Sequence, residues 1–265
     1  MIQIPYKILP NVKEKLKSNK IPRIIWQTFK TNILPANIAL QCQTWILKNP
    51  EYEYKFFTDN DIINFIKTEF PTYLQYYNLL VEGAAKCDLW RLLVLKKYGG
   101  VYADIDTICH KPLKNIIHAN SDYVTSIGSG HKGFQHWCII CVPNHMIINK
   151  MLEIVINNIQ KYNGDCKKCH TIMYRGMKIV NNVLSFVHDK PTLYLGGIFA
   201  MTGPGVLQQV VETFATNSQT HYIFNYIYIY NNDNFNDTIE HHRPVDYDKF
   251  IESVGSPCYN RDYVV

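Results

Sequence analysis

The sequence predicts an α/β protein, with a Rossmann-like mixed β-sheet flanked by helices in a single domain. Three observations carry that reading. Strand-like and helix-like stretches alternate through the first half of the chain. A length of 265 residues with 47% hydrophobic and 13% aromatic content is enough to bury one full core. Pro and Gly are dispersed as turn punctuation, with no repeat, linker or low-complexity block to divide the chain.

The elements follow in order. "PRIIWQTF" (22–29) reads as a buried strand. "IALQCQTWILKN" (38–49) has helical spacing, "YEYKFF" (52–57) alternates as a strand does, and "NDIINFIKTEF" (60–70) is a helix with Asp59 placed to cap it. A longer helix spans roughly Leu80 to Tyr98, and Gly99 and Gly100 end it before the chain turns into "VYADID". Strands are expected near 122–127, 137–142 and 222–230, with helical stretches near 146–160, 171–187 and 204–214. From Asn231 on, the sequence is polar and poorly patterned, and no element is assigned.

The formal net charge is +5, but Lys and Arg are scattered, which argues against nucleic-acid binding and suits a small anionic substrate. No window approaches 18 consecutive apolar residues, and the N-terminus has no apolar run followed by small residues. The expectation is therefore a soluble, cytoplasmic protein without a transmembrane segment. The basic stretch Lys13 to Lys20 reads as a solvated arm, with peripheral contact to anionic lipid as the alternative.

Eight cysteines without a secretory signal point to reduced thiols. Cys138 and Cys141 lie in a strand-like run, where positions three apart face opposite ways and cannot chelate one ion. Cys166 and Cys169 sit in a polar loop beside His170, where a zinc site competes with plain surface thiols.

The chemistry concentrates between residues 84 and 106. In "AAKCDLWRLLVL", Asp88 and Arg91 are three apart and share a helix face with Ala84 and Leu95, so the charges are not simply on a wet side. A buried ion pair accounts for them if nothing else does. In an extended "VYADID", Val101, Ala103 and Ile105 take one face while Tyr102, Asp104 and Asp106 take the other. Two carboxylates so close raise each other's pKa unless a cation neutralises them, and Mg²⁺ or Mn²⁺ suits oxygen ligands while leaving positions open for phosphate. A solvated pair with no ligand is the plainer account of an isolated DxD.

The order of the pieces is more specific than any one of them. "AAKCDLWRLLVLKKYGGVYADID" resembles the core of glycosyltransferase family 32, the DxD-type sugar transferases, through Ala85, Asp88, Arg91, Leu95, Gly99, Gly100, Tyr102, Asp104 and Asp106. The same spacing is similar to that in the glucosyltransferase domains of the large clostridial toxins. "IPRIIWQTFK" (21–30), Trp45, "NPEYEYKFFTD" and "MTGPGVL" (201–207) extend the resemblance. Where the family usually has His and then Trp, this chain has Trp26 and Phe29.

The resemblance implies a GT-A fold over residues 21–265 behind a basic extension (1–20), with a donor-binding half at about 21–115 and an acceptor side at about 120–265. It implies retaining transfer of a sugar from a nucleoside diphosphate sugar, UDP-linked first and GDP-mannose second, to a glycan, lipid or protein-linked hydroxyl, with Mn²⁺ or Mg²⁺ as cofactor. Asp106 would be the direct metal ligand, and Asp104 would contact the metal or the ribose. Asp88 would meet donor sugar hydroxyls, and Arg91 would orient Asp88 and meet a sugar or phosphate oxygen. Thr28 and Phe29 would lie at the nucleotide, with Phe29 against the base. His241 and His242 stand where the family tends to place a histidine near the metal, but without its usual nearby Ser-Trp, so a surface loop is the alternative; the polar segment 126–137 would face the acceptor.

Two other classes compete. A DxD phosphatase or phosphotransferase needs Thr or Val two residues after the second Asp, where this chain has Ile108. A nucleotide-sugar binding module without turnover would keep the four charged positions, as this chain does.

Overall fold

The computed structural model describes residues 1–11, 19–127, 134–169, 172–180, 183–216, 227–231 and 238–242, with the strands between 172 and 195 and at 227–231 described as backbone only. Two short strands, β1 (Ile2–Gln3) and β2 (Lys7–Ile8), precede β3 (Ile24–Thr28), β4 (Ile33–Leu34) and helix α1 (Ala36–Lys48). Then come β5 (Glu53–Phe57), α2 (Asp59–Glu69), α3 (Leu74–Leu79), α4 (Gly83–Tyr98), β6 (Gly100–Ala103) and β7 (Thr107–Cys109). β8 (Tyr123–Ile127), β9 (Cys138–Cys141) and α5 (Met146–Tyr162) follow, then β10 (Ile172–Val180) and β11 (Val183–Leu195). The described chain closes with α6 (Ile198–Met201), α7 (Pro204–Thr216), β12 (Ile227–Asn231) and β13 (Ile239–His241).

Seven strands form the central mixed sheet in the order β12-β8-β9-β6-β3-β5-β2. β6 and β5 run parallel to β3, and β12 parallel to β8, whereas β9 is antiparallel to both β6 and β8, and β2 is antiparallel to β5. Period-two alternation divides the sheet residues between two cores. Trp26, Tyr102, Tyr123, Ile139 and Cys141 join the core built with α2 to α7. Ile25, Tyr54, Phe56, Val101, Ala103, Val124, Cys138 and Ile140 join the core built with α1. Cys138 and Cys141 thus face opposite ways, as their spacing requires.

Gly99 and Gly100 are needed for space as well as for turning. Their φ values are +62° and +99°, and a Cβ would come within 2.6 Å of Pro143 N at Gly99 and within 2.6 Å of Ile24 O at Gly100. Their registers, Thr28↔Phe57 and Trp26↔Tyr102, bring the parallel strands β3, β5 and β6 to an end side by side, and the crevice outside their carboxyl ends receives the residues that follow them. Among the described residues, no helix is long and apolar enough to cross a membrane.

Three expectations change. Thr58, one residue before Asp59, caps α2: the Thr58 N–H donates to Asp61 Oδ2 at 2.9 Å and the Asp61 N–H donates to Thr58 Oγ1 at 3.5 Å, a reciprocal capping box. Where a helix is expected near 171–187, the described residues form β10 and β11, which pair as an antiparallel ladder from Ile172↔Leu195 to Val180↔Val183. Ile172, Tyr174, Ile179, Val180 and Val183 favour a strand, and Gly176 weakens a helix. Cys166 and Cys169 are not surface thiols but are both buried, and Cys166 Sγ lies 3.4 Å from Met201 Sδ. His170 lies outside the described residues, as do most of the basic arm and residues 128–133.

Candidate active site

Helix α4 is buried on every side from Asp88 to Leu95, so Asp88 and Arg91 are interior charges. Arg91 Nη2 lies 3.0 Å from Asp88 Oδ1 and 3.2 Å from Asp104 Oδ1, which ties the helix to the loop after β6. Its guanidinium covers the Tyr102 ring at 4.4 Å, and Nη1 donates to the His136 carbonyl at 2.5 Å. Burial works against an ionised Asp88, but Arg91, His136 and the Thr202 hydroxyl outweigh it and hold the carboxyl below its usual range.

Asp104 and Asp106 leave the strand on a turn held from several sides. The Asp104 N–H donates to Trp137 O at 2.9 Å, and the Asp104 carbonyl accepts from Gln27 Nε2 at 3.1 Å and Thr107 Oγ1 at 2.5 Å. The Tyr102 hydroxyl donates to Asp104 Oδ1 at 2.5 Å. Burial raises the Asp104 carboxyl, Arg91 lowers it, and the Asp106 charge raises it again, with a net upward shift. The repulsion read from the sequence is therefore present, and a cation between the two carboxylates would relieve it.

Asp106 is almost fully buried and faces β13. His241 Nε2 lies 3.1 Å from Asp106 Oδ2, and the His241 ring stacks on Trp137 at 5.5 Å. The two C-terminal histidines separate here. His241 converges on Asp106, whereas His242 Nδ1 lies 3.6 Å from Glu240 Oε1, and its main chain bridges Asp106 O and Gln41 Nε2.

Thr28 and Phe29 close the same edge. The Thr28 hydroxyl donates to Phe57 O at 2.7 Å, bracing β3 against β5, and half-buried Phe29 packs on the α1 side. Trp26 is wholly in the core, where Nε1 donates to Gly99 O at 2.8 Å.

Two residues that sequence reasoning missed complete the cluster. Thr202 Oγ1 donates to Asp88 Oδ2 at 2.9 Å, and His136 Nδ1 lies 3.4 Å from Asp88 Oδ1 and 3.2 Å from Arg91 Nη1. Thr202 belongs to "MTGPGVL" and His136 to the segment expected to face the acceptor, so both stretches had been noticed without their partner in Asp88.

No trio of His, Cys, Asp and Glu among the described residues is set to hold a metal by itself. The donor chemistry nevertheless fits a hard divalent ion completed by phosphate oxygens. Adjacent ligands of an octahedral ion with bonds near 2.1 Å lie about 3 Å apart, and Asp106 Oδ2 and His241 Nε2 have that separation at 3.1 Å.

Residues 35–124 match a family described as "Glycosyltransferase sugar-binding region containing DXD motif". Inositol phosphoceramide mannosyltransferase 3 of Schizosaccharomyces pombe is 36% identical over 102 residues, covering 38% of this chain and 29% of that protein. The initiation-specific alpha-1,6-mannosyltransferase of Candida albicans is 33% identical over 115 residues, covering 41% and 30%. The matched segments thus span about three tenths of those relatives' own length. Among solved structures, the ligand-free glycosyltransferase domain of the YGT toxin superposes with a TM-score of 0.53 at 10% identity over 80% of each chain. PaToxG glycosyltransferase gives 0.51 at 21% identity over 78% of this chain and 75% of that one. These superpositions establish the fold as that of GT-A-type glycosyltransferase domains. Residues 35–124, the stretch similar to the sugar-binding region of the DXD-motif glycosyltransferases, contain Asp88, Arg91, Asp104 and Asp106.

Proposed function

We propose that this protein transfers a sugar from a nucleoside diphosphate sugar to an acceptor hydroxyl with retention of anomeric configuration. The observation that carries the reading is the DXD turn itself. Asp106 and His241 are paired at 3.1 Å at one end, and Asp104 is joined through Arg91 to buried Asp88 at the other. The first end suits a divalent ion and its diphosphate, and the second suits a sugar.

Asp106 and His241 would hold Mn²⁺ or Mg²⁺, with Asp104 beside them, and such an ion supplies Lewis-acid stabilisation of a diphosphate leaving group. Arg91 is positive at every accessible pH and lies beside Asp104, where it offers charge to phosphate or sugar oxygens. Asp88, kept ionised, accepts from donor hydroxyls and fixes Arg91. Thr28 and Phe29 mark where the nucleotide would lie, at the carboxyl end of β3. The segment around 134–137 borders the acceptor side, and a retaining transfer needs no separate protein base when the acceptor attacks from the face the diphosphate leaves.

The motif itself does not name the base, and the relatives' names, both mannosyltransferases, favour mannose as the sugar and a GDP-linked donor over the UDP-linked donor expected first. The name of the first, an inositol phosphoceramide mannosyltransferase, favours a lipid head-group hydroxyl as the acceptor here. Thermal unfolding against UDP, GDP, CDP and ADP, each with and without Mn²⁺, tests the reading, because a ligand that binds only the native state raises the midpoint. A metal-dependent shift with one nucleotide names the base, and sugar-linked forms of that nucleotide then identify the donor by release of product. No shift with any nucleotide would defeat the proposal.

A further inference from the structure

We infer that His136 reads the donor sugar, with its Nε2 bonding one sugar hydroxyl, an inference that rests on the donor-sugar reading of Asp88 and Arg91. His136 is 4% exposed, and its ring is held from one side only. Nδ1 lies 3.2 Å from Arg91 Nη1 and 3.4 Å from Asp88 Oδ1, and the His136 carbonyl accepts from the same Arg91 nitrogen. Nε2, on the other side of the ring, is buried and has no hydrogen-bond partner among the described residues.

A buried polar atom left unpaired is costly, so its presence in a folded protein calls for an explanation, and a ligand that completes it is one. The setting supports a ligand. Arg91 Nε is also buried without a partner among the described residues, and so is the hydroxyl of Ser126, whose carbonyl accepts from the Gln135 N–H at 2.9 Å. The other two unsatisfied atoms thus belong to residues that bond the main chain of the segment carrying His136, Arg91 at the His136 carbonyl and Ser126 at the Gln135 N–H.

The ring's protonation follows from its neighbours. Burial, reinforced by the Arg91 charge, keeps His136 neutral. Nδ1 faces a donor, Arg91 Nη1 at 3.2 Å, and an acceptor, Asp88 Oδ1 at 3.4 Å, so the single ring proton serves Asp88 from Nδ1 or a ligand from Nε2, and Nε2 accepts or donates accordingly. The ring thus stands between Asp88, an acceptor on one side, and the unpartnered Nε2 edge on the other. Two different sugar hydroxyls, one at Asp88 and one at Nε2, are then each fixed in direction, which separates an axial from an equatorial hydroxyl more sharply than pocket shape does.

Asn and Gln at this position divide the ring's two roles. The Asn amide lies near the place of Nδ1 and leaves Nε2 empty, whereas the Gln amide reaches the place of Nε2. The measurement is kcat/KM for release of nucleoside diphosphate from two epimeric donors on one base, UDP-glucose with UDP-galactose or GDP-mannose with GDP-glucose, alongside affinity for the bare nucleotide with Mn²⁺. His136→Asn is expected to bind bare nucleotide within about twofold of the wild type and to lose at least about tenfold in discrimination between epimers. His136→Gln is expected to retain more of that discrimination. Wild-type discrimination in His136→Asn would overturn the inference, since water would then be the partner of Nε2. Equal loss of bare-nucleotide binding in both variants would also overturn it, by making His136 a mere support for Arg91. A wild-type protein that binds no nucleotide defeats the donor reading beneath, and that result is visible before any variant is made.

Discussion

The Thr202 hydroxyl donates to Asp88 Oδ2 at 2.9 Å across 114 residues of sequence, while Arg91 holds the other oxygen at 3.0 Å. The junction between α6 and α7 is thereby fastened to the centre of α4. Thr202→Val keeps the shape and removes the donor, leaving a buried carboxylate oxygen short of a bond. The expected cost is about 1–3 kcal/mol, read in urea as a lower midpoint with an unchanged slope. A variant as stable as the wild type would show that Oδ2 does not depend on Thr202.

Asp88→Asn leaves the shape of the pair and strips Arg91 of a buried counter-charge. Asp104 still faces Arg91, so the loss should approach the lower end of the 3–5 kcal/mol that breaking a buried pair costs, about 3 kcal/mol. Binding of bare nucleoside diphosphate with Mn²⁺ should survive, and discrimination among donor sugars should fall. Calorimetry with the bare nucleotide and with its sugar-linked form separates the two, and equal loss of both would mean that Asp88 serves the fold alone.

His145 makes stability depend on pH away from the active site. It caps α5 by accepting the Ile147 N–H on Nδ1 at 3.2 Å, which only a neutral ring can do, and burial lowers its pKa from 6.5 to about 4. Between those values the unfolded chain binds a proton that the folded chain refuses. This contribution is therefore intact above pH 6.5, declines as pH falls, and is fully lost below about 4, a change of roughly 3 kcal/mol. His145→Asn caps without titrating, so urea midpoints at pH 7, 5.5 and 4.5 should fall less steeply than in the wild type. Parallel profiles would contradict the assignment.

Gly99→Ala places a Cβ 2.6 Å from Pro143 N and 2.7 Å from Cys141 O at φ +62°. Backbone atoms cannot yield cheaply, so the cost should exceed the roughly 1–2 kcal/mol of the left-handed conformation alone. A melting temperature within about 2 °C of the wild type would show that the turn can be rebuilt.

Much of this was legible in the sequence because it is local. Apolar periodicity located the strands that flank the site, and the spacing of Asp88 and Arg91 announced charges that a solvated face would not need. The Gly-Gly turn, read as a helix stop, also serves the close approach of Pro143 and Ile24. What sequence could not supply was long-range pairing. Thr202 and His136 meet Asp88 only through the packing of α6 and the segment before β9, and the convergence of His241 on Asp106 depends on β13 pairing with β7. The hairpin of β10 and β11 was misread because a short apolar run suits either period, and β-branched content was the better guide there.

Calorimetric titration of the fitting nucleoside diphosphate into wild-type protein and Asp106→Asn, with Mn²⁺ and with chelator, tests the central claim most directly. The account predicts metal-dependent binding to the wild type, little binding in chelator, and loss of the metal-dependent part in a variant that still unfolds cooperatively. Equal affinity of wild type and Asp106→Asn in the presence of Mn²⁺ would contradict a metal and diphosphate site at the DXD turn.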